Sequence, residues 1–261
     1  MIGWMLKEFK NLLAFLTVFP VRMDKDCLVD SARCMFLFPL VGAFIGLLAG
    51  VFGWVMSLFL SSLVVGALVL GVLLLLTGLH HTDGLLDFGD GVMAHGSPER
   101  KIEVMHDQLT GAGGLTLGII TYLVTAFCLA GLNLPITFYG IPILLVYVVI
   151  GEVAAKLSMV VGAWAGRAVH EGMNSSFLAA MHGGKGSLRL VAALAISFSV
   201  AILLLWLSGV IAMTTSVIAS LVMVGIAHRH FNGVTGDVLG ATNELSRMVC
   251  FITLLAVVGW V

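Results

Sequence analysis

Residues 80–91 read His-His-Thr-Asp-Gly-Leu-Leu-Asp-Phe-Gly-Asp-Gly and directly follow an apolar run that predicts a membrane span. Three carboxylates stand in this stretch, at Asp83, Asp87 and Asp90. On a helix these positions fall at about 0°, 40° and −20°, which is one face. Like charges on one face repel one another unless a cation lies between them. The spacing therefore predicts a divalent-metal site for Mg²⁺ or Mn²⁺ at a membrane boundary, the alternative being a solvated helix start.

The composition predicts an all-α, polytopic membrane protein. Of the 261 residues, 60% are hydrophobic and 10% are charged, and the mean hydropathy is +1.11. Soluble domains carry about 25% charged residues, so this composition excludes a soluble enzyme. The net charge of −1 gives no indication of a nucleic-acid partner.

Apolar runs predict one integral-membrane domain over residues 1–261, a bundle of about six or seven transmembrane helices. Residues 2–19 instead combine apolar residues with Lys7, Glu8, Lys10 and Asn11 on one side, which predicts an interfacial amphipathic helix. The predicted spans are 34–60, 63–82, 112–132, 138–161, 188–208, 212–230 and 246–261.

Nearly all charged residues lie in alternate connections between these spans. The uncharged connections lie near 61–62, 133–137 and 209–211. The charged connections are 83–111, 162–187 and 231–245, together with the N-terminal segment. Because Lys and Arg mark the cytoplasmic side, we expect the N-terminus and the polar chemistry on the cytoplasmic face of the cell membrane.

Residues 99–107 have helical character and supply further candidates. Asp107 is a possible metal ligand from this second helix. Arg100 is a candidate phosphate ligand because a guanidinium binds phosphate through two hydrogen bonds. The alternative for the basic residues here is a positive-inside anchor.

Residues 233–241 read Gly-Val-Thr-Gly-Asp-Val-Leu-Gly-Ala, a glycine-rich turn that enters a helix. Such turns expose backbone N–H groups that bind phosphate. The candidate phosphate ligands are Gly233, Thr235 and Gly236, with Arg229 shortly before them. Asp237 adds a carboxylate, unless it only caps the helix.

Two residues have more than one interpretation. His81 precedes Asp83 by two positions and is a general base, a metal ligand, a hydrogen-bond partner or an ordinary buried histidine. Lys156 follows Glu152 by four residues inside a span. Lys156 either forms a structural ion pair with Glu152 or binds phosphate as a cation, and we favour the second role.

Taken together, these residues indicate a diphosphate site: carboxylates for a metal, a glycine-rich turn for an anion, and scattered cations. Chemistry at phosphorus needs positioning and charge neutralisation more than a covalent nucleophile. The residues themselves predict metal-dependent phosphotransfer with one soluble and one lipophilic or membrane-associated substrate.

Residues 77–91 resemble the signature of the cobalamin synthase family, the adenosylcobinamide-GDP ribazoletransferases. The similarity extends over essentially the whole chain. The other similar segments are Phe15-Leu16-Thr17 with Pro20-Val21, Phe38 to Gly42, Glu103 to Asp107 with Gly111 and Gly114, Glu171-Gly172 before Phe177, and Gly233 to Ala241 with Glu244-Leu245.

This resemblance implies a reaction and a set of roles. The 3′-hydroxyl of α-ribazole, or of its 5′-phosphate, attacks adenosylcobinamide-GDP in the presence of Mg²⁺, and GMP leaves. Asp83, Asp87 and Asp90 correspond to metal and diphosphate carboxylates, supported by Asp107 and Asp237. One of these residues or His81 takes the hydroxyl proton.

The chain departs from the family pattern mainly at cations. His106 stands where an arginine or lysine is usual, Val169 where an arginine is usual, and Arg247 where a glutamate is frequent. Lys156 lies near the position of a usual arginine.

Two alternative functions remain. A CDP-alcohol phosphotransferase is disfavoured by Leu85-Leu86 after the glycine, and a divalent-cation transporter is disfavoured by the uncharged outer turns.

Overall fold

The computed structural model describes residues 2–19, 31–138, 140–169 and 173–257, which form an α-helical bundle. The named helices are α1 (Ile2–Leu16), α2 (Phe38–Ser57), α3 (Ser62–Leu76), α4 (His80–Met93), α5 (Pro98–Met105), α6 (Ala112–Leu132), α7 (Ile143–Ala165), α8 (Met173–His182), α9 (Gly186–Phe231) and α10 (Gly236–Val257). A 3₁₀ turn, Met35–Leu37, precedes α2. The strands β1 (Thr137–Phe138) and β2 (Ile141–Pro142) pair antiparallel before α7.

The predicted polytopic membrane fold is confirmed. Among the described residues, five helical segments are long and apolar enough to cross a membrane, namely α2 with its 3₁₀ turn, α6, α7, α9 and α10. Helices α3 and α4 pass this test only together and are bent by 96°. Because α4 carries the carboxylates, we place α3 in the membrane and α4 along its surface, outside the spanning segments.

The predicted span 63–82 is wrong in its second part, because α3 ends before Thr77. Gly78 and Leu79 have φ angles of 64° and 61°, in the left-handed region that ends a helix. The Thr77 hydroxyl and the Val18 N–H donate hydrogen bonds to carbonyls of the last turn of α3. These bonds satisfy carbonyls that a helix end leaves unpaired, so residues 80–91 form a separate helix.

Helix α9 contains the two predicted spans 188–208 and 212–230. Its 46 residues would extend about 69 Å if straight, whereas the hydrocarbon core is about 30 Å thick. Trp206 interrupts it with φ 50° and ψ −126°. A Cβ at Gly209 would lie 3.0 Å from the carbonyl carbon of Ala201, which a straight helix does not allow. The chain therefore reverses at Trp206, slightly before the predicted turn.

Other boundaries also differ from the predictions. The last helix begins at Gly236 rather than near residue 246, because the glycine-rich turn ends there, and residues 258–261 lie outside the described residues. The predicted span 138–161 is displaced toward the C-terminus, because a strand pair occupies its start and α7 continues to Ala165.

The predicted interfacial segment 2–19 corresponds to α1. Its polar residues do not share one environment: Lys7 and Lys10 are exposed. Glu8 is buried and accepts a hydrogen bond from the Ser31 hydroxyl.

Helix α7 is the centre of the bundle. Within an apolar stretch of 18 residues in this helix, 94% of the residues are buried. Helix α2 packs antiparallel against it through glycines four residues apart. A Cβ at Gly46 would lie 2.7 Å from Val149 Cα, and one at Gly50 would lie 2.9 Å from Leu145 Cα. Small residues at such positions let helix backbones approach each other in lipid.

Two glycines of α3 provide a matched test of this packing. A Cβ at Gly66 would lie 2.7 Å from the backbone nitrogen of Ala130 on α6, whereas nothing lies within 4 Å at Gly71. We expect Gly66→Ala to lower the free energy of unfolding by about 1–3 kcal/mol through overpacking. Gly71→Ala should be neutral or stabilise by up to about 1 kcal/mol. Thermal unfolding in detergent measures both, and equal melting temperatures would contradict the close α3–α6 contact.

Candidate active site

The contact between α4 and α10 brings carboxylates together. A Cβ at Gly84 would lie 2.9 Å from Asp237 Cα, and a Cβ at Gly240 would lie 3.3 Å from His81 Cα. Glycine at these positions lets the two backbones touch. The contact places Asp83 and Asp87 of α4 close enough to interact electrostatically with Asp237 at the start of α10.

These carboxylates repel one another. Partial burial, together with the charges of Asp83, Asp237 and Asp90, raises the pKa of Asp87 to about 7. Both effects disfavour the ionised carboxylate. A divalent cation at this position would offset the repulsion and favour ionisation.

Asp90 has a structural role in this arrangement. Its Oδ2 accepts the N–H of Gly111 at 2.6 Å, and its Oδ1 accepts the N–H of Gly114 at 2.8 Å. The side chain thereby caps α6, whose first N–H groups have no partner within the helix. Metal ligation by Asp90 stays a prediction.

Asp107 lies in the loop after α5. It is exposed, and its Oδ1 accepts the N–H of Leu109 at 3.0 Å. The neighbouring His106 reaches the site instead, with Nε2 4.0 Å from Asp237 Oδ2. His106, one of the departures from the family pattern, thus occupies the side of the site where a cation was expected.

The four aspartates predicted to bind metal do not form one coordination site; they are Asp83, Asp87, Asp90 and Asp107. Within residues 2–19, 31–138, 140–169 and 173–257, no three His, Cys, Asp or Glu side chains are arranged to hold a metal ion by themselves. Asp90 caps α6 and Asp107 belongs to a separate loop, and Asp83, Asp87 and Asp237 lie near one another without forming such a group. The remaining donors, Asp83, Asp87 and Asp237, offer only oxygen, which fits Mg²⁺, an ion that retains several waters and takes few carboxylates.

The glycine-rich turn positions the start of α10. The hydroxyl of Thr235 accepts the N–H of Val238 at 3.3 Å, which caps the helix. The N–H of Val234 donates to the Arg167 carbonyl at 2.7 Å, and Gly233 lies too close to this carbonyl to carry a side chain. Gly233 and Thr235 therefore build the turn, whereas Gly236 lies at the site.

A cavity of about 440 Å³ opens beside the carboxylates. Its polar side comprises His80, His81, Asp83, Gly236 and Asp237. Its other side, which we call the apolar wall, comes from several helices and consists of Phe15, Leu16, Met35, Phe38, Met159, Phe177 and Leu239. The sequence prediction missed this wall, although Phe15, Phe38 and Phe177 occur in the motifs that carry the family resemblance.

His81 lies between the cavity and the bundle interior. It is 5% exposed and lines the cavity, while its Nδ1 is buried and makes no hydrogen bond in the described structure. This placement favours a role in which the other ring nitrogen, Nε2, contacts a substrate. The choice between base and hydrogen-bond partner stays a prediction.

Comparison with known proteins identifies the family. Residues 8–255 match the family model described as cobalamin-5-phosphate synthase. The chain belongs to the cobalamin-5-phosphate synthase family. It is similar to proteins of Methanocella arvoryzae (35% identity), Shigella flexneri (32%) and Methanococcoides burtonii (28%), each named adenosylcobinamide-GDP ribazoletransferase. The alignments cover 95%, 96% and 97% of this chain and 95%, 100% and 93% of the relatives.

No solved structure matches the chain. Membership in the cobalamin-5-phosphate synthase family makes this membrane protein an enzyme of cobalamin synthesis. The resemblance stated from the motifs is confirmed, and the CDP-alcohol phosphotransferase and cation-transporter alternatives are disfavoured.

The surface cations predicted to bind phosphate lie away from the cavity. Arg100 is exposed and pairs with Glu103 at 2.8 Å. Arg229 is exposed near the end of α9 and does not line the cavity. Lys101 joins α5 to α9, with Nζ 2.9 Å from His230 Nδ1. Roles of Arg100 and Arg229 in phosphate binding stay predictions that no described contact supports.

The structure contradicts phosphate binding by Lys156. Its side chain is fully buried, donates to Asn243 Oδ1 at 2.6 Å and lies 3.7 Å from Glu152 Oε2. Arg247 donates to Glu152 Oε1 at 2.8 Å and also pairs with Glu244. Two positive and two negative side chains thus compensate one another inside the bundle, where unpaired charge is costly. We call these four residues the buried charge cluster.

Asp90→Ala tests the capping role. We expect the loss of two hydrogen bonds at the start of α6 to reduce the free energy of unfolding by about 1–2 kcal/mol. Asp83→Ala is the control, because its carboxylate is exposed and makes no such cap. Melting temperatures in detergent compare the two, and an Asp90→Ala protein as stable as wild type would contradict the role.

Lys156→Met tests the corrected role of Lys156. Removal of this cation leaves an uncompensated negative charge in the buried charge cluster, with an expected cost of about 3–5 kcal/mol. Adding Glu152→Gln restores charge balance and should recover part of the lost melting temperature. A Lys156→Met protein with normal stability and a raised KM for a diphosphate substrate would instead support the original interpretation.

Proposed function

We propose that this enzyme transfers the adenosylcobinamide phosphate group from adenosylcobinamide-GDP to α-ribazole or its 5′-phosphate and releases GMP. The observation that carries the proposal is the position of Asp83, Asp237 and His81 around one cavity, with Asp87 adjacent. The names of the nearly full-length relatives support the choice of substrates.

The proposed step is a substitution at phosphorus. The ribose 3′-hydroxyl oxygen bonds to the corrinoid-side phosphorus, and the bond from this phosphorus to the bridging oxygen breaks. The bond electrons leave with GMP. The hydroxyl proton passes to Nε2 of His81 or to a facing carboxylate. Fixed groups around a cavity supply the positioning on which such transfers depend.

Asp83, Asp87 and Asp237 would hold Mg²⁺, with Mn²⁺ as an alternative, because their oxygens suit a hard cation. The bound ion would neutralise charge on the diphosphate. The backbone N–H groups at the start of α10, beginning with Gly236, would bind a phosphate oxygen. Gly236 and Asp237, the first two residues of this helix, both line the cavity.

We also propose that the site faces the cytoplasm. The helix ends that form it lie on the side of the charged connections, which include Arg100, Lys101, Arg167 and Lys185, whereas the turns at the opposite end carry no charge. This distribution is typical of a cytoplasmic active site.

Purified protein in detergent should release GMP when supplied with Mg²⁺, α-ribazole and adenosylcobinamide-GDP. We expect Asp83→Asn to lower kcat by about 10²–10⁴-fold, since it removes a charge that faces the reacting groups. Its melting temperature should remain that of wild type because Asp83 is exposed.

Glu103→Gln is the matched control. Glu103 is another exposed carboxylate, but it pairs with Arg100 away from the cavity, so GMP release should be unchanged. Absence of GMP release from folded wild-type protein would refute the proposed function. An unchanged rate in Asp83→Asn would remove this residue from the catalytic groups.

A further inference from the structure

The cavity has two chemically different sides, and they suit different parts of one ligand. On the polar side, Asp83 is exposed and Asp237 is half-buried, so both carboxylates are accessible. Among the apolar lining residues, Phe15 is half-buried and accessible, and its ring stacks on the buried Phe177 with ring centroids 4.9 Å apart. A ligand that fills the cavity must therefore combine a hydroxyl-bearing end with an aromatic or aliphatic end.

The described lining of the cavity offers a phosphate no cationic side chain of its own. Its described lining includes two carboxylates and no Lys or Arg. Without a bound cation, a phosphate there would face the like charge of the carboxylates. The diphosphate of a substrate therefore belongs beside Gly236 and the cation held by the carboxylates, which leaves the apolar wall to an uncharged group.

The apolar wall also discriminates between the aromatic groups in the proposed reaction. Guanine presents several hydrogen-bond donors and acceptors along its edge, and each would lose its water partner against Phe, Met and Leu side chains without gaining another, which is unfavourable. A corrin ring with its side chains exceeds a volume of about 440 Å³. A carbon-rich benzimidazole has one free ring nitrogen and two apolar faces that can stack on phenylalanine.

We propose that the apolar wall binds the aromatic base of the ribazole acceptor, so that its ribose hydroxyl meets His81, Asp83 and Asp237. This inference rests on the proposed function and adds the substrate part that each side of the cavity recognises. Phe15 then contacts the base of the acceptor, with Phe177 supporting its ring by stacking, so this pair determines affinity for the acceptor and not for adenosylcobinamide-GDP.

Ala14→Phe tests the assignment by filling the cavity from α1, since Ala14 belongs to its lining. We expect the KM for α-ribazole to rise about tenfold or more, because pocket contacts of this size differ by about 1–3 kcal/mol. The KM for adenosylcobinamide-GDP and the kcat at saturating acceptor should change less than about twofold. Leu6→Phe on the same helix, at a side chain 64% exposed, should leave all parameters unchanged.

Phe177→Leu is a second variant that keeps the wall apolar and removes only the aromatic ring. We expect a smaller increase in the acceptor KM, about threefold to tenfold, because Phe15 loses the ring on which it stacks. Direct binding of α-ribazole in the absence of the second substrate, followed by the intrinsic fluorescence of its benzimidazole, should weaken in parallel. This second variant keeps the test decisive if Ala14→Phe does not fold.

The outcomes separate this inference from the function on which it rests. If wild-type protein releases no GMP, the proposed function fails and the assignment of the wall fails with it. If wild-type protein is active but the variants raise only the KM for adenosylcobinamide-GDP, the wall binds the other substrate. Unchanged constants for both substrates in folded variants would show that the wall contacts neither and would also overturn the assignment.

Discussion

The buried charge cluster fixes how α10 lies against α7. Glu152 and Lys156 of α7 meet Glu244 and Arg247 of α10 in the bundle interior. Because an unpaired charge is strongly unfavourable there, a shift of α10 by one turn would separate these partners. Asp237 precedes Glu244 by seven residues, about two turns of the same helix. The alignment that pairs the charges therefore also sets Asp237 opposite α4.

Hydropathy predicts most of the spans because lipid requires apolar side chains along the whole length of a helix. Helix α6 occupies the predicted range 112–132. The errors arise where backbone conformation decides, at Gly78 and Leu79 between α3 and α4 and at Trp206 within α9. Hydropathy extends the predicted span through Gly78 and Leu79 to residue 82 and does not reveal the 96° bend there, whereas it predicts the reversal within α9 and places it a few residues too late.

The candidate site was predictable to the extent that its residues are close in sequence or form a regular motif. Asp83, Asp87 and Asp237 were selected by spacing, and the structure brings them together. Spacing does not reveal that Asp90 caps another helix or that Lys156 has buried partners on α10, because both roles depend on residues distant in the chain. The apolar wall was missed for the same reason, since its aromatic residues come from separate helices.

Helix α1 has one exposed face, and its other face borders the cavity. Leu6 is exposed on one face, while Leu16 is buried and, with Phe15, contributes to the cavity. We predict that α1 rests on the boundary between headgroups and acyl chains, where lateral pressure and curvature vary with lipid composition. In that position the lipids that support α1 would help to define the shape of the cavity, and bilayer composition would be a physical variable of the enzyme.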